Sequence, residues 1–348
     1  MSRRRFTSLR RAVAALAAAT LAVTAVGCSS SNPEGEPSAS QEERTITIGY
    51  SARAPFVLPA LLAESGMDQF AGRGLKFKGQ LVSAPDALPL LATGKLDVFM
   101  GPVSAGIFNA IGSGSKLQIV APGGTSSNPS NWYISKAALK GKEYSIDAWR
   151  GEKVYTSTGA GSYVMISLAH ILEPAGMTPK DLQFAQIPPD DVGPALTSGA
   201  IFAGIPASIK VRQQLLKDGD VIEGPSAVWP QGISPGFLFF GKSLLEDEPA
   251  LAQKVLDGFA DLYANYLQDG YQTDKDKAAV IAKVLDYQPD TLPTLVKEVY
   301  PADLSFPDGW AKNAESVWRT LSNVLSYDGS IADKVVATDL IRKALQKG

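Results

Sequence analysis

The feature that most constrains this chain is a unit of alternating strands and helices that occurs twice. Residues 45–50 (TITIGY) form a short β-rich run, followed by a loop over 51–55 and an apolar helical stretch over 56–64 that closes on Ser65 and Gly66. A second strand is expected over 75–82, a short helix over 86–93 ended by Gly94, and a third strand over 96–100. The pattern returns with strands over 153–156, 182–187 and 200–205 and helices over 162–175 and 191–198. At an offset of 110, Gly49, Leu62, Gly66 and Met67 meet Gly159, Leu172, Gly176 and Met177; at 105, Asp86, Pro89, Leu91 and Gly94 meet Asp191, Pro194, Leu196 and Gly199. Matches in one order at two nearby offsets predict two related lobes. Strands and helices that alternate at this spacing need crossover connections, and so mostly parallel sheets.

Beyond residue 243 helices take over. Residues 249–268 place Leu251, Val255, Phe259, Leu262, Tyr263 and Tyr266 on one face, and further helices are expected over 277–285, 291–299, 310–325 and 334–347. With no sheet of their own they should pack on the first lobe. The expected organisation is therefore a discontinuous lobe I (45–135 plus 236–348) and a lobe II over 136–235, within an α/β fold.

The N-terminus reads as an address. Five arginines lie within residues 1–11, and 12–26 is an uncharged apolar run too short to span a bilayer, as in a signal peptide over 1–27. It ends in AVGC (25–28), which resembles a bacterial lipoprotein box with Ala25 where Leu is usual; Cys28 is then the lipidated first residue of the mature chain. SRRRF (2–6) also resembles a twin-arginine export signal, so Sec and twin-arginine routes both stay open. Residues 28–44, rich in Ser, Glu and Pro, are expected to be a flexible tether to the membrane. Removing 1–27 takes the formal charge from −2 to −7, the opposite of the basic face that nucleic acid requires. One Cys and one His, His170 inside a helical stretch, leave no material for a disulfide framework, a Cys-rich metal site or a familiar catalytic triad.

The segments ITIGY (46–50), LATGKLDV (91–98), DAWRGEKV (147–154), GAGS (159–162), IPPDD (187–191) and PGFLFF (235–240) occur in an order that resembles the solute-binding proteins of the nitrate, taurine and sulfonate ABC importers. The resemblance covers about residues 45–270. It implies a two-lobed, type II periplasmic-binding-protein-like fold with a ligand cleft between the lobes. It also implies a monomer that binds a small molecule without cofactor or catalysis and delivers it to a transmembrane permease with its ATPase. A sulfonate or related organosulfur anion is the expected solute, with nitrate, a pyrimidine ligand or a lipid-anchored enzyme of the same fold as alternatives. The sequence departs from the family at Phe202, where Asp is usual, and lacks the cysteine-rich motif of the pyrimidine-synthesising branch.

Open parallel sheets bind ligands at the carboxyl ends of their strands. The loops to watch are therefore 51–56, 83–86, 101–104 and 123–126 in the first lobe and 156–162, 188–191 and 206–208 in the second. Candidate ligand contacts are Ser51, Arg53, Phe56, Ser104, Thr125, Thr158, Gly161, Ser162 and Asp190. The run TSTGAGS (156–162) puts hydroxyls and glycines ahead of a helix, where an anion is favoured. Ser162 is open to two readings, a helix cap or a cap that also touches ligand. Arg53 is the basic side chain of these loops and would pair with an anion, though a solvated arginine is the commoner case. Phe56, Trp132 and Trp229 read as cleft wall or as core, and Asp86, Asp190 and Asp191 as helix caps or, less often, ammonium contacts.

Overall fold

The computed structural model describes residues 43–126, 131–206, 208–227, 235–268, 270–288, 292 and 298–346. The expected signal peptide, Cys28, most of the tether, Trp229 and Ser234 lie outside the described residues.

The strands, in chain order, are β1 (Arg44–Tyr50), β2 (Leu75–Leu81), β3 (Val98–Pro102), β4 (Gln118–Pro122), β5 (Thr125–Ser126), β6 (Asn131–Ser135), β7 (Lys153–Tyr155), β8 (Gln183–Ala185), β9 (Ala203–Gly204), β10 (Val221–Ser226), β11 (Gly236–Phe240) and β12 (Glu298–Val299). They build two five-stranded sheets, β2-β1-β3-β11-β4 and β8-β7-β9-β6-β10, and a two-stranded ribbon of β5 and β12. In the first sheet β1 runs parallel to β2 and β3, while β11 runs antiparallel to both β3 and β4. The second repeats this plan, with β7 parallel to β8 and β9 and β6 antiparallel to β9 and β10. The two lobes are thus topologically equivalent. The first takes its fourth strand, β11, from beyond the second lobe, whereas the second is built from the consecutive strands β6 to β10.

The equivalence reaches single residues. The N–H of Asp97 donates to the Thr47 carbonyl at 3.2 Å, and that of Phe202, 105 positions later, to the Lys153 carbonyl at 2.7 Å. Their own carbonyls accept from Gly241 and Ser135, each at 2.9 Å. Only the side chains differ. The Asp97 carboxylate accepts from the Thr47 N–H and hydroxyl and from the Ser243 hydroxyl at 2.8, 2.7 and 2.6 Å. The Phe202 ring instead meets Trp149 edge-on, 5.5 Å between centroids, inside the core. Phe202 therefore replaces a polar fastener with an aromatic one.

The helices of the first lobe are α1 (Leu58–Glu64), α2 (Asp68–Ala71), α3 (Ala84–Ala92) and α4 (Ala105–Gly112), and those of the second are α5 (Lys136–Leu139), α6 (Val164–Leu172), α7 (Val192–Ser198) and α8 (Ile209–Asp218). The C-terminal part supplies α9 (Pro249–Asp261), α10 (Lys275–Leu285), α11 (Trp310–Thr320) and α12 (Thr338–Leu345). Because strand side chains alternate between faces, Leu238 and Phe240 of β11 join a core with α1, α9, α10 and α12, while Phe237 and Phe239 join the core on the opposite face.

Three expectations change here. Residues 131–135, assigned from the sequence to lobe I, are a strand hydrogen-bonded on both sides within the second sheet. Glu298 and Val299, expected to end a helix, pair with Thr125 and Ser126 as β12. And α11 does not pack on the first lobe alone: Ala314 and Trp318 share a core with Phe108 of the first lobe and Met165 and Leu168 of the second. An apolar stripe on a helix says that it will be buried, not against which neighbour.

Candidate functional site

The C-terminal ends of β1 and β3 in one lobe and of β7 and β9 in the other carry the loops that geometry makes available to a ligand. Two of these loops touch. Ser104, after β3, and Ser162, after β7, form an isolated antiparallel bridge between the lobes. The indole N–H of Trp318 donates to the Ser162 carbonyl at 3.1 Å, and its ring meets Phe108 edge-on at 5.1 Å. The 156–162 loop is therefore held from the first lobe and from α11 at once.

Ser162 and Thr156 are buried, at 0% and 1% exposure, and neither hydroxyl has a hydrogen-bond partner; the same holds for the buried hydroxyl oxygens of Thr158 and Ser51. A buried hydroxyl without a partner costs about 1–3 kcal/mol, so three within one strand-end loop, 156–162, mark a place arranged for something polar. Ser162 does not cap α6, whose N-cap position is Tyr163 and receives no side-chain bond. Its N–H is taken by the Gly159 carbonyl at 3.1 Å, which leaves the hydroxyl as its available group. Gly159 has φ +62°, and a methyl there would run into the Gln186 amide; Gly161 approaches Ala105 of α4.

The remaining candidates separate. Arg53 is exposed, and its guanidinium donates to the Val284 carbonyl and the Tyr50 hydroxyl, both at 3.0 Å, on the α10 side of the first lobe. In this structure the side chain fastens α10 to the end of β1. Phe56 is half-buried against the first-lobe core. Thr125 is half-buried in β5 opposite Val299. Asp190 is exposed within the turn Pro189–Asp191. Asp86 joins the cap of α3, its N–H donating to the Ser83 hydroxyl at 3.3 Å. Trp132 is core, edge-on to Trp149 at 5.6 Å and fully buried.

Tyrosines brace the first-lobe side. Tyr263 donates to the Pro122 carbonyl at 2.8 Å, Tyr300 to Pro55 at 3.0 Å and Tyr271 to Glu298 at 2.9 Å; burial raises all three phenols above their ordinary range. Where the chain crosses between lobes, a methyl on Gly123 would overlap the Gly236 carbonyl, and one on Gly236 would overlap the Phe56 carbonyl, so only glycine allows this backbone contact.

Sequence reasoning missed Arg212. It lies on α8, one turn beyond the loop after β9, and its Nε donates to the Pro206 carbonyl at 2.5 Å. The run IKVRQQLLKD (209–218) reads as an ordinary amphipathic surface helix; its position directly after a strand-end loop was the available signal. A separate cavity of about 500 Å³ lies between α6 and α11, with His170 and Lys180 among its lining residues.

No family model matches the chain, and no curated protein sequence does. Solved structures match across most of its length. The nitrate-binding protein NrtA from Synechocystis is 13% identical, with a TM-score of 0.64 over 88% of this chain and 89% of that one. The alkanesulfonate-binding protein SsuA from Xanthomonas axonopodis, bound to MOPS, is 16% identical, with a TM-score of 0.57 over 85% and 99%. The aliphatic sulphonate-binding SsuA from Escherichia coli is 17% identical, with a TM-score of 0.55 over 79% and 86%. At these identities the likeness establishes the fold: the two-lobed α/β architecture of the periplasmic binding proteins.

Proposed function

We propose that this protein is an extracytoplasmic solute-binding protein that delivers a small organic oxyanion, a sulfonate or related organosulfur compound, to an ABC importer. The observation that carries the proposal is the set of buried, unpartnered hydroxyls of Thr156, Thr158 and Ser162 on the loop that the Ser104–Ser162 bridge ties to the first lobe, with that of Ser51 at the end of β1. Several buried hydroxyl donors on one loop suit an oxyanion, whose several lone pairs accept such donors. The architecture is shared with proteins that bind nitrate and sulfonates. An organic anion is preferred to nitrate because Tyr155 and Tyr163 flank the 156–162 loop. The leader and Cys28 support export and attachment by two acyl chains, enough for stable membrane association, with a permease and its ATPase as partners.

Calorimetry against alkane sulfonates, taurine, an aromatic sulfonate, nitrate and a hydroxymethylpyrimidine tests the ligand class. The expected result is tightest binding of a sulfonate, with at least a tenfold loss, about 1.4 kcal/mol, in Ser162→Ala. Tightest binding of the neutral pyrimidine, indifferent to Ser162→Ala, overturns the proposal, and turnover of any bound compound replaces it with an enzyme. Cys28→Ser should release the full-length protein from membranes; equal solubility of variant and wild type would refute the anchor.

A further inference from the structure

We infer that Arg212, at the strand-end loop after β9, supplies the positive charge that holds the anionic group of the ligand. This rests on the oxyanion reading above and names the cation that reading lacks once Arg53 is found fastened to α10.

The placement follows from the fold. The bond from Arg212 Nε to the Pro206 carbonyl folds the guanidinium back over the loop that follows β9, the central strand of the second sheet. That is the strand end at which an open sheet presents its ligand site. Ile209, three residues earlier and so on the same helix face, packs against the first-lobe core. This face of α8 therefore looks across the cleft rather than into solvent. Tyr133 stands on β6 directly opposite Gly204 of β9, and Tyr163 adjoins Ser162. Tyr287, beyond the end of α10, belongs to the first lobe. All three phenols lie close enough to feel the Arg212 charge. Burial pushes the Tyr163 hydroxyl up to about 12, with Arg212 pulling the other way, so it stays a neutral donor at every physiological pH.

The chemistry is that of a strong-acid anion with an organic body. Burial lowers the Arg212 pKa, and its tyrosine neighbours oppose that shift; a guanidinium starts so high that it remains a cation with donors in a fixed fork. A fork of this kind binds two oxygens of one sulfonate, and the phenol rings offer amphipathic surface to the carbon skeleton. The serine and threonine hydroxyls of 156–162 reach the same anion from the neighbouring strand end.

The test is calorimetry on wild type, Arg212→Ala, Arg212→Gln, Arg212→Lys and Arg53→Ala with an alkane sulfonate and an aromatic sulfonate, at low and high salt. Arg212→Ala should bind at least tenfold more weakly, with a shallower dependence on salt. Arg212→Lys should recover part of the loss, and Arg53→Ala should bind like wild type. Arg212→Gln keeps a donor for the Pro206 carbonyl and carries the comparison if the alanine variant unfolds. Wild type that binds sulfonate while folded Arg212→Ala or Arg212→Gln binds it equally well overturns this inference alone. Wild type that binds no anion overturns the proposed function and this inference with it.

Discussion

The carboxylate of Glu315 is 4% exposed, a costly position for a charge unless it is fully satisfied. It accepts from the Tyr327 hydroxyl at 2.7 Å, the Ile331 N–H at 3.0 Å and the Ser330 hydroxyl, with Arg319 at 3.5 Å. Burial alone would raise its pKa, but the bonds from Ser330, Tyr327 and Ile331 and the Arg319 charge together hold it below the ordinary 4.5. A depressed carboxylate contributes stability that is present above 4.5 and lost as pH falls through the lower folded value. Glu315→Gln should therefore cost about 1.5–3 kcal/mol at pH 7, and denaturant titrations should show the gap closing below about pH 4.5; an equal gap at pH 7 and pH 3 would contradict this. Arg53 allows the complementary test: its alanine variant should lose stability and keep ligand affinity, because its guanidinium is bonded to Val284 and Tyr50. Both arginines carry the same charge but are held differently, Arg53 by Val284 in α10 and Arg212 by Pro206 in the loop before its own helix. Hydroxyls were more legible than cations because Ser162 and Thr158 lie in a loop fixed by local strand and helix periodicity, whereas Arg212 lies in a helix whose facing depends on the other lobe.

At the scale of elements, the parallel core of each sheet could be read directly, since β1, β2 and β3 and their counterparts β7, β8 and β9 are local crossover units. Strands β6 and β11 could not, because β11 pairs with β3 and β4 across the whole of the second lobe and the partners of β6, β9 and β10, lie well beyond it in sequence. Their placement also moves any hinge. Residues 131–135 and 236–240, next to the places where the chain passes between lobes, are strands bonded on both sides, and bending there would break sheet hydrogen bonds. The helix with most influence on the site is α11, which joins Phe108, Met165 and the Ser162 carbonyl through Trp318. Trp318→Phe keeps most of the packing and removes the indole N–H, leaving a buried carbonyl unpaired. It should cost about 1–3 kcal/mol and weaken ligand binding by loosening the 156–162 loop. Trp318→Ala adds a cavity and should cost about 3–5 kcal/mol. Denaturant melts with parallel calorimetry check both; a Trp318→Phe protein of wild-type stability would show that the bond at 3.1 Å is not holding the loop.

For the whole molecule, the question is whether two equivalent lobes behave as two domains. Each has a sheet of its own, and six residues of the second, Tyr133, Val192, Leu196, Ile201, Leu215 and Val221, form a small core apart. The larger second core, however, runs without interruption from Phe99, Ile107 and Phe108 through Trp310 and Trp318 to Met165, Leu168 and Trp132, and the sheets belong to one compact unit. Unfolding either lobe alone would expose the apolar surface of that shared core on the other, at about 25 cal/mol for each Å² laid bare. A free energy of that kind couples the lobes, so scanning calorimetry of residues 43–348 should show one cooperative transition. A ligand that sits between the lobes binds only when both are folded, and at a hundred times its Kd it adds about 2.7 kcal/mol to the folded state. With an unfolding entropy of about 2.1 cal/mol/K per residue, that moves the midpoint by roughly 4 °C for a body of this size. The single transition should therefore rise as one peak when sulfonate is added. Two resolved transitions, only one of which responds to ligand, would show that the shared core does not bind the lobes together and that the ligand is held by one lobe alone.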